Sequence, residues 1–83
     1  MEYKIIWSIS AVKQLKSLDR SIVKRILEKV DALSKNPERY VEKLIGYPYY
    51  RLRVGDYKVI LEINRESIFI LILKVGHRSS VYK

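Results

Sequence analysis

Basic side chains at alternating positions indicate where this chain could do chemistry. Arg51 and Arg53 are separated by one residue, in a stretch where apolar and charged side chains alternate, and Lys58 follows shortly afterwards. Such alternation is typical of a β-strand with one buried face. Arginine and lysine donate charge-assisted hydrogen bonds to phosphate and stabilise developing negative charge. Residues of this kind on one face therefore predict an anion-binding site.

The turn between these residues determines how they face one another. Gly55-Asp56 is a good two-residue hairpin loop, since glycine tolerates a positive φ at its first central position. Arg53 then lies directly opposite Lys58. Arg51, Arg53 and Lys58, which we call the basic cluster, project from the face opposite the apolar side chains. Like charges opposite one another destabilise a sheet, so a functional interpretation is favoured over the alternative, in which the side chains merely extend into solvent.

Further candidates lie at the end of the last predicted strand. Arg78 leaves the sheet at an edge, and pairing between the last two strands brings it towards Lys58. His77 is the one histidine of the chain and could act as a base near neutral pH, although taken alone we expect it to be a surface residue. Tyr82 lies one residue from the chain end, where we expect a docking ring or a frayed end rather than a catalytic group.

Three tyrosines immediately before or at the start of the basic strand offer rings for stacking. Tyr50 alternates with the apolar residues of its strand, so we expect it in the core. Tyr47 and Tyr49 are either exposed rings, on which a nucleobase could stack, or structural residues, and the sequence favours neither.

The elements that must position these side chains follow from the hydrophobic periodicity. Residues 3–7 are rich in aromatic and β-branched side chains and predict a strand. Helical spacing follows over residues 11–18, after a cap at Ser8 or Ser10, and resumes until Asn36-Pro37 ends the second helix. Two amphipathic helices joined by a short turn form a hairpin that needs an apolar surface to cover.

The second half of the chain supplies that surface as an antiparallel meander. Residues 50–54 and 57–63 form the hairpin described above, and the continuously apolar residues 68–73 predict a central strand covered on both faces. We therefore predict one α+β domain over residues 1–83, a small antiparallel β-sheet with an N-terminal two-helix hairpin packed on one face. The sequence does not determine how residues 3–7 join the sheet.

The composition narrows the class of protein and of partner. The chain has 83 residues, 17 Lys and Arg against 9 Asp and Glu, a net charge of +8 and no cysteine. This charge favours a polyanionic partner, most simply nucleic acid or an acidic protein. Without cysteine there are no disulfides, thiolate nucleophiles or cysteine zinc sites, and we expect a cytoplasmic protein. The sequence has no apolar run of ~20 residues, metal-ligand spacing or phosphate-binding glycine loop, so we expect no membrane, metal or small-molecule cofactor.

The sequence resembles the RelE/ParE toxin superfamily over essentially its whole length. The similarity is carried by YRLRVGDYKVIL at residues 50–61 and by VGHR at residues 75–78, followed by VY at residues 81–82. The resemblance implies the fold predicted above, in a toxin of a type II toxin–antitoxin system. It further implies a ribosome-dependent, metal-independent endoribonuclease that cleaves mRNA in the ribosomal A site. The implied protein partner is an acidic RelB-like antitoxin that wraps around the toxin and inactivates it.

The resemblance also assigns five site residues by position. Arg51 and Arg53 correspond to the family's basic strand residues, and Lys58 to a position where arginine is commoner. Arg78 corresponds to the arginine after the last strand and Tyr82 to the C-terminal tyrosine. The implied reaction is attack by a ribose 2′-hydroxyl on its own 3′-phosphate, with Arg53, Lys58 and Arg78 binding that phosphate. Arg51 would ease proton transfer or contact phosphate, Tyr82 would stack on a base or help to move a proton, and no residue is an obvious general base.

Two alternative functions stay open at this point. The first is a ParE-type inhibitor of DNA gyrase, a similar fold that generally lacks the basic set, so Arg51, Arg53 and Arg78 argue against it. The second is a non-catalytic basic module that binds nucleic acid or protein.

Overall fold

Across residues 2–77, the part of the chain that the computed structural model describes, there are two helices and five strands. In chain order they are β1 (Lys4–Trp7), α1 (Ile9–Lys16), α2 (Arg20–Lys35), β2 (Val41–Lys43), β3 (Tyr50–Val54), β4 (Tyr57–Asn64) and β5 (Phe69–His77). This order of strand, helical hairpin and meander confirms the prediction. The short strand β2 is an addition, since three residues are too few to show an alternating pattern.

The helix boundaries follow the predicted signals. Of the two candidate caps the first is used, because the Ser8 hydroxyl accepts a hydrogen bond from the Ala11 amide at 3.0 Å. The same hydroxyl donates to the Leu73 carbonyl oxygen at 3.0 Å, so one side chain caps α1 and joins it to β5. Helix α2 ends at Lys35, two residues before Pro37, whose ring disfavours helical geometry in the preceding residue.

The five strands form one sheet in the order β1-β5-β4-β3-β2. Strands β2 to β5 pair antiparallel, as predicted for the meander. Strand β1 runs parallel to β5, with Ile5 beside Ile70, so the sheet is mixed. A parallel neighbour needs a long crossover connection, and here the helices and three strands lie between the two partners in the chain. Local sequence pattern could not show this pairing.

The hydrophobic core lies between the helices and one face of the sheet. Ile26, Val30 and Leu33 of α2 are buried at helical spacing. They belong to one cluster with the inward-facing strand residues Leu52, Val54, Val59, Leu61, Ile63, Ile70, Ile72 and Val75. Tyr50 packs against this cluster, as expected from its alternation. The apolar face of the predicted hairpin is therefore confirmed, and the opposite face of the sheet carries the charged residues of the hairpin together with Ile60.

A β-bulge in β5 changes the pattern of side chains on that opposite face. Lys74 lies opposite Ile60, but the next residue of β4 pairs two positions earlier in β5, so Leu73 is an extra residue. The bulge is held by α1, because the Leu73 carbonyl accepts the bond from the helix cap and the Val75 amide donates to Gln14 Oε1 at 2.7 Å. The first helix thus fixes the geometry of the strand beneath it.

Candidate functional site

The basic cluster forms on the face of the sheet away from the core. Arg53 lies directly opposite Lys58, in the register that the two-residue turn predicts. The side chain of Arg53 is 63% exposed, that of Arg51 is 20% exposed, and Lys58 is half-buried. The β5 partner of Lys58 is Gly76. Because glycine has no side chain, β5 places no side chain directly opposite Lys58.

A carboxylate that the sequence pattern does not reveal, that of Glu42, contacts this cluster. Strand β2 pairs with β3 so that Glu42 lies opposite Arg51. Its Oε1 accepts a hydrogen bond from Arg53 Nε at 2.8 Å, and its Oε2 lies 3.3 Å from Arg51 Nη2. The hydrogen bond from Arg53 is the largest cause that lowers the pKa of Glu42, and the charges of both arginines act in the same direction. One carboxylate thus bridges two guanidinium groups.

The sequence carries only a weak signal for Glu42. Val41, Glu42 and Lys43 repeat the alternation of apolar and charged residues, and Gly46 with Pro48 marks a turn before β3. Three alternating residues are too few to predict a strand by themselves, and they indicate one only when the position of the neighbouring strand β3 is known. Positive charges directly opposite one another favour an acidic neighbour, and β2 supplies it.

This arrangement is suited to binding an oxyanion. The guanidinium groups of Arg51 and Arg53 each contact one oxygen atom of the Glu42 carboxylate. Arginine side chains contact the oxygen atoms of a phosphate in a similar way. The side chains of Glu42 and Arg53 are half or more exposed, and exposed ion pairs stabilise a protein only weakly. The ion pair between Glu42 and Arg53 therefore adds little to the stability of the fold. Lys58 adds positive charge from the neighbouring strand.

Of the three candidates near the chain end, the structure describes only His77. Arg78 and Tyr82 lie outside residues 2–77, so their roles stay predictions. His77 ends β5 opposite Tyr57, and the two rings meet edge to face with centroids 5.5 Å apart. Directly opposed residues share a face and Tyr57 packs against the core. His77 therefore lies on the helix side of the sheet, away from the basic cluster.

The two tyrosines whose roles the sequence leaves open line a cleft beside the cluster. Tyr47 is 63% exposed and Tyr49 is half-buried. Both contribute to a cleft of about 740 Å³ whose wall includes Arg51. An exposed aromatic ring therefore lines the same cleft as one of the predicted phosphate-binding side chains.

The described part of the chain provides neither a metal-binding cluster nor a membrane-spanning helix. Among residues 2–77, no three His, Cys, Asp or Glu side chains come close enough together to hold a metal ion. Neither of the helices there has the length and apolar character needed to cross a lipid bilayer.

Comparison with known sequences relates nearly the whole chain to one family. Residues 5–82 match the family described as ParE toxin of type II toxin-antitoxin system, parDE. The chain is 35% identical to Toxin RelE3 of Methanocaldococcus jannaschii, in an alignment that covers 95% of this chain and 94% of that toxin.

Comparison with solved structures gives the same result for the fold. The archaeal RelE–RelB complex from Pyrococcus horikoshii OT3 contains a chain that matches with a TM-score of 0.82 and 36% identity, covering 98% of this chain and 100% of that one. The toxin–antitoxin complex RelBE2 from Mycobacterium tuberculosis contains one that matches with a TM-score of 0.87 and 26% identity, covering 94% and 100%. The chain belongs to the RelE/ParE superfamily of toxins of type II toxin–antitoxin systems.

Proposed function

We propose that this toxin is a ribosome-dependent endoribonuclease that inhibits translation by cleaving mRNA in the ribosomal A site. The observation that carries the proposal is the basic cluster, in which Arg51, Arg53 and Lys58 lie on one face of the sheet. Arg51 and Arg53 already contact the two oxygen atoms of the Glu42 carboxylate, as arginine side chains contact a phosphate. The identity to a RelE toxin over nearly the whole chain supports the RelE-type activity.

In the proposed reaction, a ribose 2′-hydroxyl oxygen bonds to the phosphorus of its own 3′-phosphate, and the bond from phosphorus to the 5′ oxygen of the next nucleotide breaks. The 2′-hydroxyl loses its proton and the leaving 5′ oxygen gains one. The products are a 2′,3′-cyclic phosphate and a free 5′-hydroxyl. Negative charge rises on the phosphate oxygens in the transition state, and Arg53 and Lys58 supply positive charge there.

The other residues of the proposed site have supporting roles. Arg51 contacts the phosphate or eases proton transfer, Arg78 adds a further phosphate contact, and Tyr82 stacks on a base or helps to move a proton. The ribosome contributes by holding the RNA in a reactive conformation, which lowers the demand on the toxin's own groups. Because the proposed substrate is mRNA on translating ribosomes, we propose that the toxin acts in the cytoplasm.

Single substitutions in the basic cluster test the proposal. Arg53→Ala and Lys58→Ala should each lower cleavage of mRNA on translating ribosomes by about 100-fold or more, because removal of one group that stabilises transition-state charge typically costs that much. The measurement is the mapping of new RNA 5′ ends after brief expression. Arg78→Ala extends the test to the residue assigned by resemblance.

The matched control is Lys13→Ala, which removes one positive charge from the exposed surface of α1. It should cleave like the parent toxin, and far-UV circular dichroism should be the same for all variants. Parent-like cleavage by both Arg53→Ala and Lys58→Ala would refute the catalytic role of the basic cluster, and absence of new RNA 5′ ends with the parent toxin would refute the endoribonuclease assignment.

An acidic RelB-like antitoxin is the proposed protein partner. Two of the similar structures are described as complexes of RelE-type toxins with antitoxins. The net charge of +8 on this chain favours an acidic partner. Coexpression with a small acidic protein encoded beside the toxin gene should suppress cleavage and give a complex that survives gel filtration. Undiminished cleavage would exclude that protein as the antitoxin.

A second candidate function is inhibition of DNA gyrase, because the family that matches residues 5–82 is described by the name ParE. The basic set that ParE-type inhibitors generally lack is present here at Arg51 and Arg53, which favours RNA cleavage. A supercoiling assay separates the two candidates. Inhibition of gyrase with mRNA left intact would support the gyrase inhibitor. If the protein neither inhibits gyrase nor cleaves mRNA, the result would support a non-catalytic basic module.

A further inference from the structure

The cleft beside the basic cluster is lined by side chains of several chemical kinds. The loop between β2 and β3 contributes Ile45, Tyr47 and Tyr49, and the sheet contributes Arg51, Ile60 and Lys74. Ser8 and Ser10, at the start of α1, add hydroxyl groups. Aromatic, aliphatic and cationic groups therefore share one space of about 740 Å³, within the range of small-molecule sites. A nucleotide likewise combines an apolar base face with a charged phosphate.

The loop that carries Tyr47 is held in one conformation by its own hydrogen bonds. The Leu44 amide donates to the Tyr49 carbonyl oxygen at 3.0 Å, and the Tyr47 amide donates to the Leu44 carbonyl oxygen at 3.4 Å. Gly46 has a φ of +80°, which the third residue of a type II turn requires. Lys43 Nζ donates to the Tyr47 carbonyl oxygen at 2.6 Å. A preformed loop loses little conformational entropy when a ligand binds.

The tip of this loop exposes apolar surface that the fold does not use. Tyr47 is 63% exposed and Ile45 is 96% exposed, although both are large apolar side chains. Adjacent exposed side chains of this kind, beside a cleft, indicate a surface that binds a partner or ligand.

The floor and far wall of the cleft depend on the bulge in β5. In a regular strand, successive side chains point to opposite faces, yet Leu73 and Lys74 both line this cleft. The extra residue in the bulge accounts for this. Ile60 is 7% exposed on the face away from the core and gives the floor an apolar patch. The bulge thus brings an ammonium group beside an apolar floor.

We propose that this cleft binds a nucleobase of the RNA, next to the phosphate held by the basic cluster. The base stacks on the Tyr47 ring, since every base has a π-face. Lys74 donates to acceptors on the base edge. Arg51 lines the cleft and belongs to the basic cluster, so it joins the base site to the phosphate site. The inference rests on the proposed function and names the part of the substrate that this surface recognises.

The test is RNA binding by fluorescence anisotropy at low salt, with short 2′-O-methyl oligonucleotides that cannot undergo the cleavage reaction. Tyr47→Ala should weaken binding about tenfold, the order expected for loss of one stacked base. Tyr47→Phe keeps the ring and should bind like the parent. Tyr40→Ala removes a tyrosine that is 39% exposed and outside the cleft, and it should also bind like the parent.

Oligonucleotides with a single abasic position locate the base. At one position, loss of the base should weaken binding to the parent protein about tenfold but leave binding to Tyr47→Ala unchanged, because that variant has already lost the contact. Parent-like binding by Tyr47→Ala would overturn the assignment. The assignment would also be overturned if, at every abasic position, loss of the base weakened binding to the parent and to Tyr47→Ala by the same factor.

Failure of this inference can be told apart from failure of the proposed function. If Arg53→Ala weakens RNA binding and Tyr47→Ala does not, the base site is overturned and the phosphate site stands. If neither variant weakens binding, both assignments fail. On translating ribosomes, Tyr47→Ala should also redistribute the cleavage positions relative to the parent, and an unchanged distribution would count against the base site.

Discussion

Glu42 determines how the basic cluster meets an anion. Its carboxylate contacts Arg51 and Arg53 together and so offsets the repulsion between positive charges on one face of the sheet. It also holds their guanidinium groups in an orientation that suits two oxygen atoms. The same contacts compete with a phosphate for the same donors. Glu42 is therefore expected to order the site and to lower its affinity for RNA.

Replacement of Glu42 by glutamine should strengthen RNA binding. Glu42→Gln keeps the shape and an acceptor oxygen but removes the negative charge, so a phosphate no longer has to displace an ion pair. We expect the Kd for a 2′-O-methyl oligonucleotide to fall by up to about fivefold, a limit set by the weakness of exposed ion pairs. Cleavage should be retained, since a carboxyl group with a lowered pKa is a poor general base.

Two controls separate this local effect from a general gain of positive charge. Glu28→Gln makes the same charge change on the exposed surface of α2 and should leave the Kd close to that of the parent. The pKa of Glu42 is lowered from an ordinary value of 4.5, so its carboxylate carries its charge at both pH 6 and pH 8. The ratio of the Kd of the parent to the Kd of Glu42→Gln should therefore be the same at the two pH values. Loss of cleavage in Glu42→Gln would instead assign the carboxylate to the chemistry.

At the scale of single residues, the basic cluster could be predicted from the sequence but its acidic neighbour could not. Arg53 and Lys58 flank a two-residue turn, and the pairing of residues beside such a turn follows from the turn alone. Glu42 reaches the cluster from a three-residue strand, across a longer loop. The register there depends on the conformation of that loop, including Gly46 at a φ of +80°, and a three-residue pattern does not specify it.

Among the elements, α1 has more influence on the site than its eight residues suggest. Its cap residue Ser8 and its side chain Gln14 both bond to the backbone of β5, on either side of the bulge. The bulge decides that Leu73 and Lys74 line one cleft. Helix α1 therefore shapes the proposed base site through the bulge, and its cap Ser8 and its residue Ser10 also line the cleft.

Removal of the helix cap should destabilise the protein measurably. Ser8→Ala loses the bond that caps α1 and the bond to the Leu73 carbonyl, and we expect the free energy of unfolding to fall by about 1–2 kcal/mol. Ser10→Ala is the matched control, because Ser10 is exposed within the same helix and should change stability by less than about 0.5 kcal/mol. Urea unfolding measures both, and equal losses would contradict the assigned cap.

The elements also show which parts of a fold a sequence determines locally. Helix α2 and the hairpin of β3 and β4 are predicted because their periodicity and their end signals lie within the element itself. The parallel pairing of β1 with β5 joins residues more than sixty positions apart, so nothing in residues 3–7 encodes it. The outward side chains of β5 are half-buried rather than buried, since the helices cover only the other face.

For the whole molecule, the distribution of charge matters more than its total. Residues 1–43 and residues 44–83 each carry a net charge of +4, so the excess is not a basic tail. The exposed lysines of the helices contribute to the total from the other side of the sheet. Attraction between RNA and this protein therefore has a diffuse part, from the net charge, and a localised part, from the basic cluster.

The salt dependence of RNA binding separates these two parts. If the three cations of the basic cluster contact about three phosphates, the slope of log K against log salt should be about −2, since each contact with a single strand contributes about −0.7. Arg53→Ala should make the slope shallower by about 0.7, whereas Lys13→Ala should leave it unchanged. Equal changes in the two variants would show that net charge alone attracts the RNA. The hairpin that aligns Arg53 with Lys58 would then have no part in binding, because a diffuse field does not depend on which strand carries a charge.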